Sequence, residues 1–181
     1  MNNLDDILEG CKNKDRISQE KLYRQFYPGL FALCKKFFDD NHDVLTALNN
    51  GMLKVYKNIN QYDPVKGNLY AWSYAIVRNT ALTYLRDKQT GKTLVELTEH
   101  NEVIDQLNPF KKLEWKDIFF YLGKLQPSTR AVCTLFYIEE YKIHEIATQM
   151  DLSEGTVKWH LSESRSKLKT IFSKVTIAEN E

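Results

Sequence analysis

Strand-like alternation of apolar and polar residues is missing from the whole 181-residue chain, and so are internal repeats. Glycine occurs only 7 times, and no glycine-rich loop stands where a phosphate would be cradled. What is left is a helical chain. Cysteine is equally sparse: Cys11, Cys34 and Cys133 lie far apart, without Cys-x-x-Cys or Cys/His ligand spacing. An odd, dispersed set excludes a disulfide framework and reads as reduced thiols in a reducing compartment. His42, His100, His144 and His160 are just as scattered. Neither a metal site nor a catalytic cluster of His, Cys and carboxylates is in sight, so no enzyme activity and no cofactor is expected. No apolar run approaches the roughly 20 residues that span a bilayer. The first six residues are acidic where a signal peptide would be basic. These absences point to the cytoplasm and to no membrane insertion. A strong charge of one sign is also lacking: with a net charge of +1, nucleic-acid binding has to be read from the distribution of charge. The 27% charged and 43% hydrophobic residues fit a soluble globular protein, and the length allows one or two small domains.

The most informative stretch is 151–169. Ser153 can cap a helix and Glu154 then sits at the positive end of its dipole. Val157, Leu161, Ser164 and Leu168 recur at steps of four, three and four, which makes one buried stripe. The opposite face carries Thr156, Lys158, Trp159, Ser162 and Arg165. Just upstream, Ile143, Ile146, Ala147 and Met150 give a shorter amphipathic helix, and the small Ala147 lets the two cross closely. Asp151, Leu152 and Ser153 between them suffice only for a tight turn. Two helices joined by so short a turn, the second basic and polar outside, read as a helix-turn-helix. An ordinary αα-corner has nearly the same spacing; the basic bias after Glu154 favours DNA binding.

Upstream the chain reads as further helices: one over Asp5 to Lys12, and one over Ser18 to Phe26 that Pro28 and Gly29 break and restart. A third contains Leu30, Phe31, Leu33, Cys34, Phe37 and Phe38. Val44, Leu45, Leu48, Met52, Val55, Tyr56 and Ile59 form a long helical stripe. A loop over Asn60 to Gly67 follows, and Asn68 caps a helix that runs to about Asp87. On that helix Leu69, Trp72, Ile76 and Thr80 share one face, and Trp72 is read as core. Tyr70, Tyr74 and Arg78 share another at steps of four. Cations prevail from Lys66 to Lys92, with Asp87 the only anion. Exposed rings among cations suit a single-stranded nucleic acid, since rings stack on bases at about 1–3 kcal/mol each. Whether Tyr70 and Tyr74 serve that purpose or belong to the core is open at this level. Residues 93–105 hold four carboxylates without Lys or Arg and read as an acidic linker. After Pro109, one helix is marked by Phe110, Leu113, Trp115, Ile118, Phe119, Leu122 and Leu125, and another, capped by Ser128, by Ala131, Val132, Leu135, Phe136 and Ile138. The expected fold is therefore all-α: a helical domain over 1–90, a linker over 91–110 and a helix-turn-helix domain over 111–181.

With these residues in view, a resemblance is specific. Residues 67–79, followed by Tyr84, Leu85 and Arg86, resemble the promoter-melting helix of bacterial RNA polymerase sigma factors of the extracytoplasmic-function group, in the sigma-70 family. Residues 20–28 resemble the start of the same domain, and residues 49–56 its polymerase-binding helix. Residues 125–132, 145–147 and 153–158 resemble the family's second domain. The blocks follow the family's order across nearly the whole chain.

The resemblance implies a non-enzymatic subunit that gives core RNA polymerase its promoter choice, with core polymerase and promoter DNA as partners and an anti-sigma factor as a further candidate. The recognition helix would meet duplex DNA through Thr156, Lys158, Trp159, His160, Ser162 and Arg165. The melted strand would be held by the loop 60–68, with Lys66 and Asn68, and by Tyr70, Tyr74, Arg78 and Asn79. Asn49, Asn50, Leu53 and Tyr56 would face the polymerase clamp. The chain departs from the family where acidic residues usually stand in the clamp helix and this sequence has Leu45, Thr46 and Asn50. It departs again where Arg is common and Tyr70 and Ala75 stand, and at Trp159 and His160, which replace a small residue and Arg. Asp151 holds the turn position usually given to Gly. Competing readings are a helix-turn-helix regulator acting without core polymerase and a sigma-like protein-binding module.

Overall fold

The computed structural model describes residues 3–89 and 115–178, and among these every regular element is helical. The expected linker over 91–110, with Phe110 and Leu113, lies outside the described residues. The chain divides into two compact units, Met1–Tyr84 and Leu85–Glu181, a division that falls within a helix and somewhat before the expected boundary at residue 90. No described helix is long and apolar enough to cross a membrane.

The first unit is built from α1 (Asn3–Lys12), α2 (Arg16–Lys35), α3 (Asn41–Asn58) and, up to Tyr84, α4 (Leu69–Gln89). Asp15 starts α2 by accepting the N–H of Ser18 at 2.9 Å, and Asp40 starts α3 by accepting that of His42 at 3.0 Å. In α2 the structure corrects the sequence expectation of a break: a single helix runs straight through Pro28. An interior proline costs about 3 kcal/mol. Here Leu22, Phe26, Leu30, Leu33 and Cys34 keep one buried stripe in phase on both sides of it, and burying those side chains at roughly 1.5–3 kcal/mol each outweighs the loss.

The inner stripe of α4 also differs from the expected one. Leu69, Ser73, Val77, Thr80, Ala81 and Leu85 are buried, while Trp72 and Ile76 stand half-buried at its edge. The cause is Gly51 on α3. A Cβ placed there would stand 2.8 Å from the Cα of Val77, so the two backbones pass close together with Val77 on the inner side of α4. Trp72 is displaced outward against the ring of Tyr62, 5.7 Å away between centroids.

The second unit comprises α5 (Trp115–Leu122), α6 (Pro127–Tyr137), α7 (Ile143–Met150) and α8 (Glu154–Ala178). Ser128 does not cap α6 as expected. Pro127 takes the first helical position, where its fixed φ and missing N–H do no harm, and Gln126 precedes it. Residues 129–135 of α6 are buried without interruption, which makes α6 the central helix of this unit. Val157, Leu161, Ser164 and Leu168 of α8 are all buried, as their spacing predicts. All three thiols are buried, and burial pushes Cys11 up to about 11 and Cys34 and Cys133 up to about 12.

The Gly51 crossing admits a direct test. Gly51→Ala must push α3 and α4 apart and is expected to cost about 1–3 kcal/mol in urea unfolding of the full chain. An unchanged midpoint would mean that the seam tolerates a methyl group.

Candidate nucleic-acid interface

In the second unit the turn between α7 and α8 has the tightness expected of it. Asp151 adopts the left-handed conformation (φ 56°, ψ 50°), and its N–H and that of Leu152 both return to the carbonyl of Ala147. Asparagine and aspartate visit this region at lower cost than most residues, which is what lets Asp151 stand in for a glycine. Ser153 accepts the N–H of Thr156 at 3.0 Å, so the start of α8 is capped as its sequence predicts. At the other end of the motif, Glu145 accepts the N–H of Lys142 at 2.7 Å and fixes the start of α7.

With the stripe of Val157, Leu161, Ser164 and Leu168 turned inward, the outer side of α8 falls to the remaining positions. Thr156, Lys158, Trp159, Ser162 and Arg165 are half-buried, each with part of its side chain in solvent. Lys158, Ser162 and Arg165 follow at steps of four and three along one edge, with Trp159 beside them. The Arg165 guanidinium is steadied by the carbonyl of Leu161, 3.3 Å from its Nε. Glu163 also lies on this side but is drawn into an ion pair with Lys167 at 2.9 Å. His160 is different. It is only 5% exposed, and its Nδ1 lies 2.9 Å from the hydroxyl of Thr129 on α6. The expectation of a duplex contact from His160 is therefore corrected: its position one residue before Leu161 places it on the inner face. Thr148 and His144 on α7, both exposed, belong to the same motif and carry no signal in the sequence beyond their helix.

The first unit gathers a second set. The loop 60–68 is held at several points. Asp63 accepts the N–H of Val65 at 3.0 Å, Tyr62 donates to the carbonyl of Gly67 at 2.9 Å, and Asn68 accepts the N–H of Ala71 at 2.7 Å. Gly67 has φ 147°, a conformation that side chains rarely allow, although open space surrounds it. Val65 is 92% exposed at the tip, an apolar side chain held out by a hydrogen-bonded loop. Lys66 is exposed and no nearer than 4.0 Å to Asp63. Asn68 is committed to its cap.

On α4, Tyr70 and Tyr74 prove to be both core and surface. Tyr70 packs edge-on against Phe26, its hydroxyl fills the space above Gly29, and it remains 36% exposed. Tyr74 is half-buried and its ring lies 6.1 Å from that of Tyr70. Lys36, from the end of α2, donates to the Tyr74 hydroxyl at 3.2 Å, 38 residues away in sequence. Sequence reasoning confined to the charge of α4 has no means of finding that lysine. Arg78 is half-buried with its guanidinium 3.4 Å from the side-chain oxygen of the exposed Asn79. Two aromatic faces, Lys36 and Arg78 thus share one surface, suited to bases and phosphates.

The residues of α3 form a third group. Asn49 and Asn50 are exposed, Leu53 is 52% exposed, and Tyr56 is half-buried with its hydroxyl donated to the carbonyl of Gln19 at 2.7 Å. Among the described residues no three His, Cys, Asp or Glu side chains gather in a group that could hold a metal ion.

Two family models match the chain, sigma-70 region 2 over residues 22–90 and sigma-70 region 4 over residues 118–168. Among known proteins, the ECF RNA polymerase sigma factor SigM of Bacillus subtilis (strain 168) is 24% identical over 162 residues, spanning 86% of this chain and 95% of that protein. SigW of the same organism, also an ECF RNA polymerase sigma factor, is 24% identical over 152 residues, spanning 77% and 81%. The solved structure of the sigma factor RpoE in complex with the anti-sigma factor NepR from Bartonella quintana has a TM-score of 0.48 and 16% identity, over 85% of this chain and 96% of that one.

Burial holds His160 neutral, with its pKa pushed down from 6.5 to about 4. The unfolded chain takes up this proton near pH 6.5 and the folded one resists it. The stability that the neutral imidazole contributes is thus complete above about pH 6.5 and is lost as the pH falls toward 4, by about 2–3 kcal/mol. Urea unfolding at pH 7 and pH 4.5 is expected to show this loss in the wild type and a smaller one in His160→Gln. Equal losses in the two proteins would reject the assignment.

Proposed function

The chain belongs to the sigma-70 family, as an RNA polymerase sigma factor of the extracytoplasmic-function group, and from that premise we propose that it directs core RNA polymerase to specific promoters and holds their strands apart at initiation. Its partners in this reading are core polymerase and promoter DNA. The observation that carries it is the capped helix-turn-helix of the second unit, with a cationic edge and an indole on the outer side of α8. A helix so presented fits the major groove, where base edges are distinguishable. Lys158 and Arg165 serve the phosphates that fix register, while Thr156, Trp159 and Ser162 meet base edges and methyl groups. The first unit takes the opposite substrate, bases already released from their partners. The rings of Tyr70 and Tyr74 supply stacking faces, Arg78 with Lys66 the phosphate contacts, and Asn79 a hydrogen-bonding side chain. The loop 60–68 presents Val65 to an unstacked base at no further ordering cost, because its backbone is already pinned. Asn68 contributes through its cap, by fixing where that loop ends. Asn49, Asn50 and Leu53 of α3 contact the polymerase, and Tyr56 braces the helix against α2.

Run-off transcription with core polymerase on genomic DNA tests the whole reading. Discrete transcripts dependent on the chain are expected; core polymerase that ignores it would end the proposal. Two substitutions test its parts. Lys158→Ala is expected to weaken binding to promoter duplex and to lower the salt slope by about one, so an unaltered slope removes Lys158 from the phosphates. Tyr74→Ala is expected to impair open-complex formation, followed by permanganate footprinting, more than duplex binding, with Tyr74→Phe close to wild type. Equal loss in both assays would count against the single-strand role, and loss in the Phe variant would shift the role from the ring to the hydroxyl and its Lys36 partner.

A further inference from the structure

The sole carboxylate of α3 is Asp43, and the fold withdraws it from the surface. It is 8% exposed, and its Oδ1 accepts from the Tyr84 hydroxyl at 2.9 Å. A carboxylate leaves water only where hydrogen bonds meet it, and this one is met from another helix, 41 residues along the chain. Beside the pair, the ring of Tyr84 lies 5.6 Å from that of the buried Phe38, just ahead of α3. Neither residue belongs to the surfaces assigned above to DNA or polymerase.

Their place relative to the Gly51 crossing gives them a use. Tyr84 lies seven residues after Val77 on α4, and Tyr70 seven before it. At 1.5 Å per residue the two stand about 10 Å to either side of the crossing. A close contact at one point sets the separation of two helices there but leaves the angle between them free. The bond from Tyr84 to Asp43 is a second contact on the same two helices, and it closes that angle. The opposite end of α4 carries Tyr70, whose seat is exacting. Its ring meets Phe26 edge-on at 5.1 Å, and its hydroxyl fills the space above Gly29, where an added Cβ would collide with it.

Resting on the single-strand reading of α4, we propose that Asp43 is a positioning residue. By holding Tyr84 it sets the tilt of α4 on Gly51, and with it the face that Tyr70 offers to an unpaired base. The two arms are equal, so a shift of about 2 Å at Tyr84 swings Tyr70 by about as much in the opposite sense when the helix moves as a rod. Stacking tolerates little of that: a gap of about 0.5–1 Å already forfeits about a quarter to a half of the contact attraction.

The test uses the full chain with core polymerase, at a temperature where circular dichroism shows every variant folded. Open-complex formation is followed by permanganate footprinting and promoter-duplex binding by gel shift. Tyr84→Phe is expected to lower open-complex formation about fivefold to tenfold and to leave duplex binding within about twofold. Asp43→Asn, whose amide oxygen can still accept, is expected to stay within about twofold of wild type in both assays. Tyr70→Leu keeps an apolar side chain against Phe26 and removes the stacking face; in that background Tyr84→Phe is expected to cause no further loss. An unimpaired Tyr84→Phe would overturn the proposal. So would a loss that persists in the Tyr70→Leu background, an equal loss in duplex binding, or an Asp43→Asn as impaired as Tyr84→Phe. These outcomes leave the single-strand reading standing, whereas a Tyr70→Leu that opens promoters as well as wild type removes that reading and the positioning role together.

Discussion

The backbone contact between Gly51 and Val77 governs how the first unit can be used. At this crossing the buried Gly51 and Val77 bring the backbones of α3 and α4 close together. The faces turned away from the crossing stay in solvent. On α3 they carry Leu45, Asn49 and Leu53, and on α4 the tyrosine and arginine surface. Trp72, which an apolar stripe would keep inside, is displaced by the same contact toward Tyr62, where it helps to brace the loop that ends at Asn68. One glycine thus couples the surface assigned to polymerase and the surface assigned to the strand, since a shift of either helix moves both.

The second unit solves a related problem by different means. Its recognition helix must present polar groups to DNA while remaining anchored, and α6 supplies the anchor, buried over residues 129–135. The seam between them is not purely apolar: the imidazole of His160 meets the hydroxyl of Thr129, and Ser164 lies against Cys133. Such pairs give α8 a preferred rotation about its own axis, which a stripe of interchangeable aliphatic side chains specifies less sharply. That rotation decides which side chains reach a groove.

Much of this could be read from the order of residues. The helix-turn-helix is legible because its determinants are local: the cap of Ser153, the tight turn at Asp151 and the 4-3-4 spacing of the inner stripe all lie within twenty or so positions of one another, and the structure reproduces each. What escapes is what depends on distant partners. The Pro28 break is overruled by packing against other helices, the stripe of α4 is rotated by Gly51 on α3, and Lys36 reaches Tyr74 from another helix. His160 is half local: helical periodicity places it beside Leu161, but the pairing with Thr129 that makes burial tolerable is a tertiary fact. The two tyrosines could not be assigned to core or surface because each is partly both.

The three thiols buried in these cores offer something of practical use. A sulfur that is both enclosed and kept protonated reacts with an alkylating reagent only when its surroundings open. Cys11 and Cys34 sit in one unit and Cys133 in the other. The rate at which each is labelled in the native protein therefore clocks the breathing of its own unit, and the chain carries a built-in reporter for each half, with no engineered probe required.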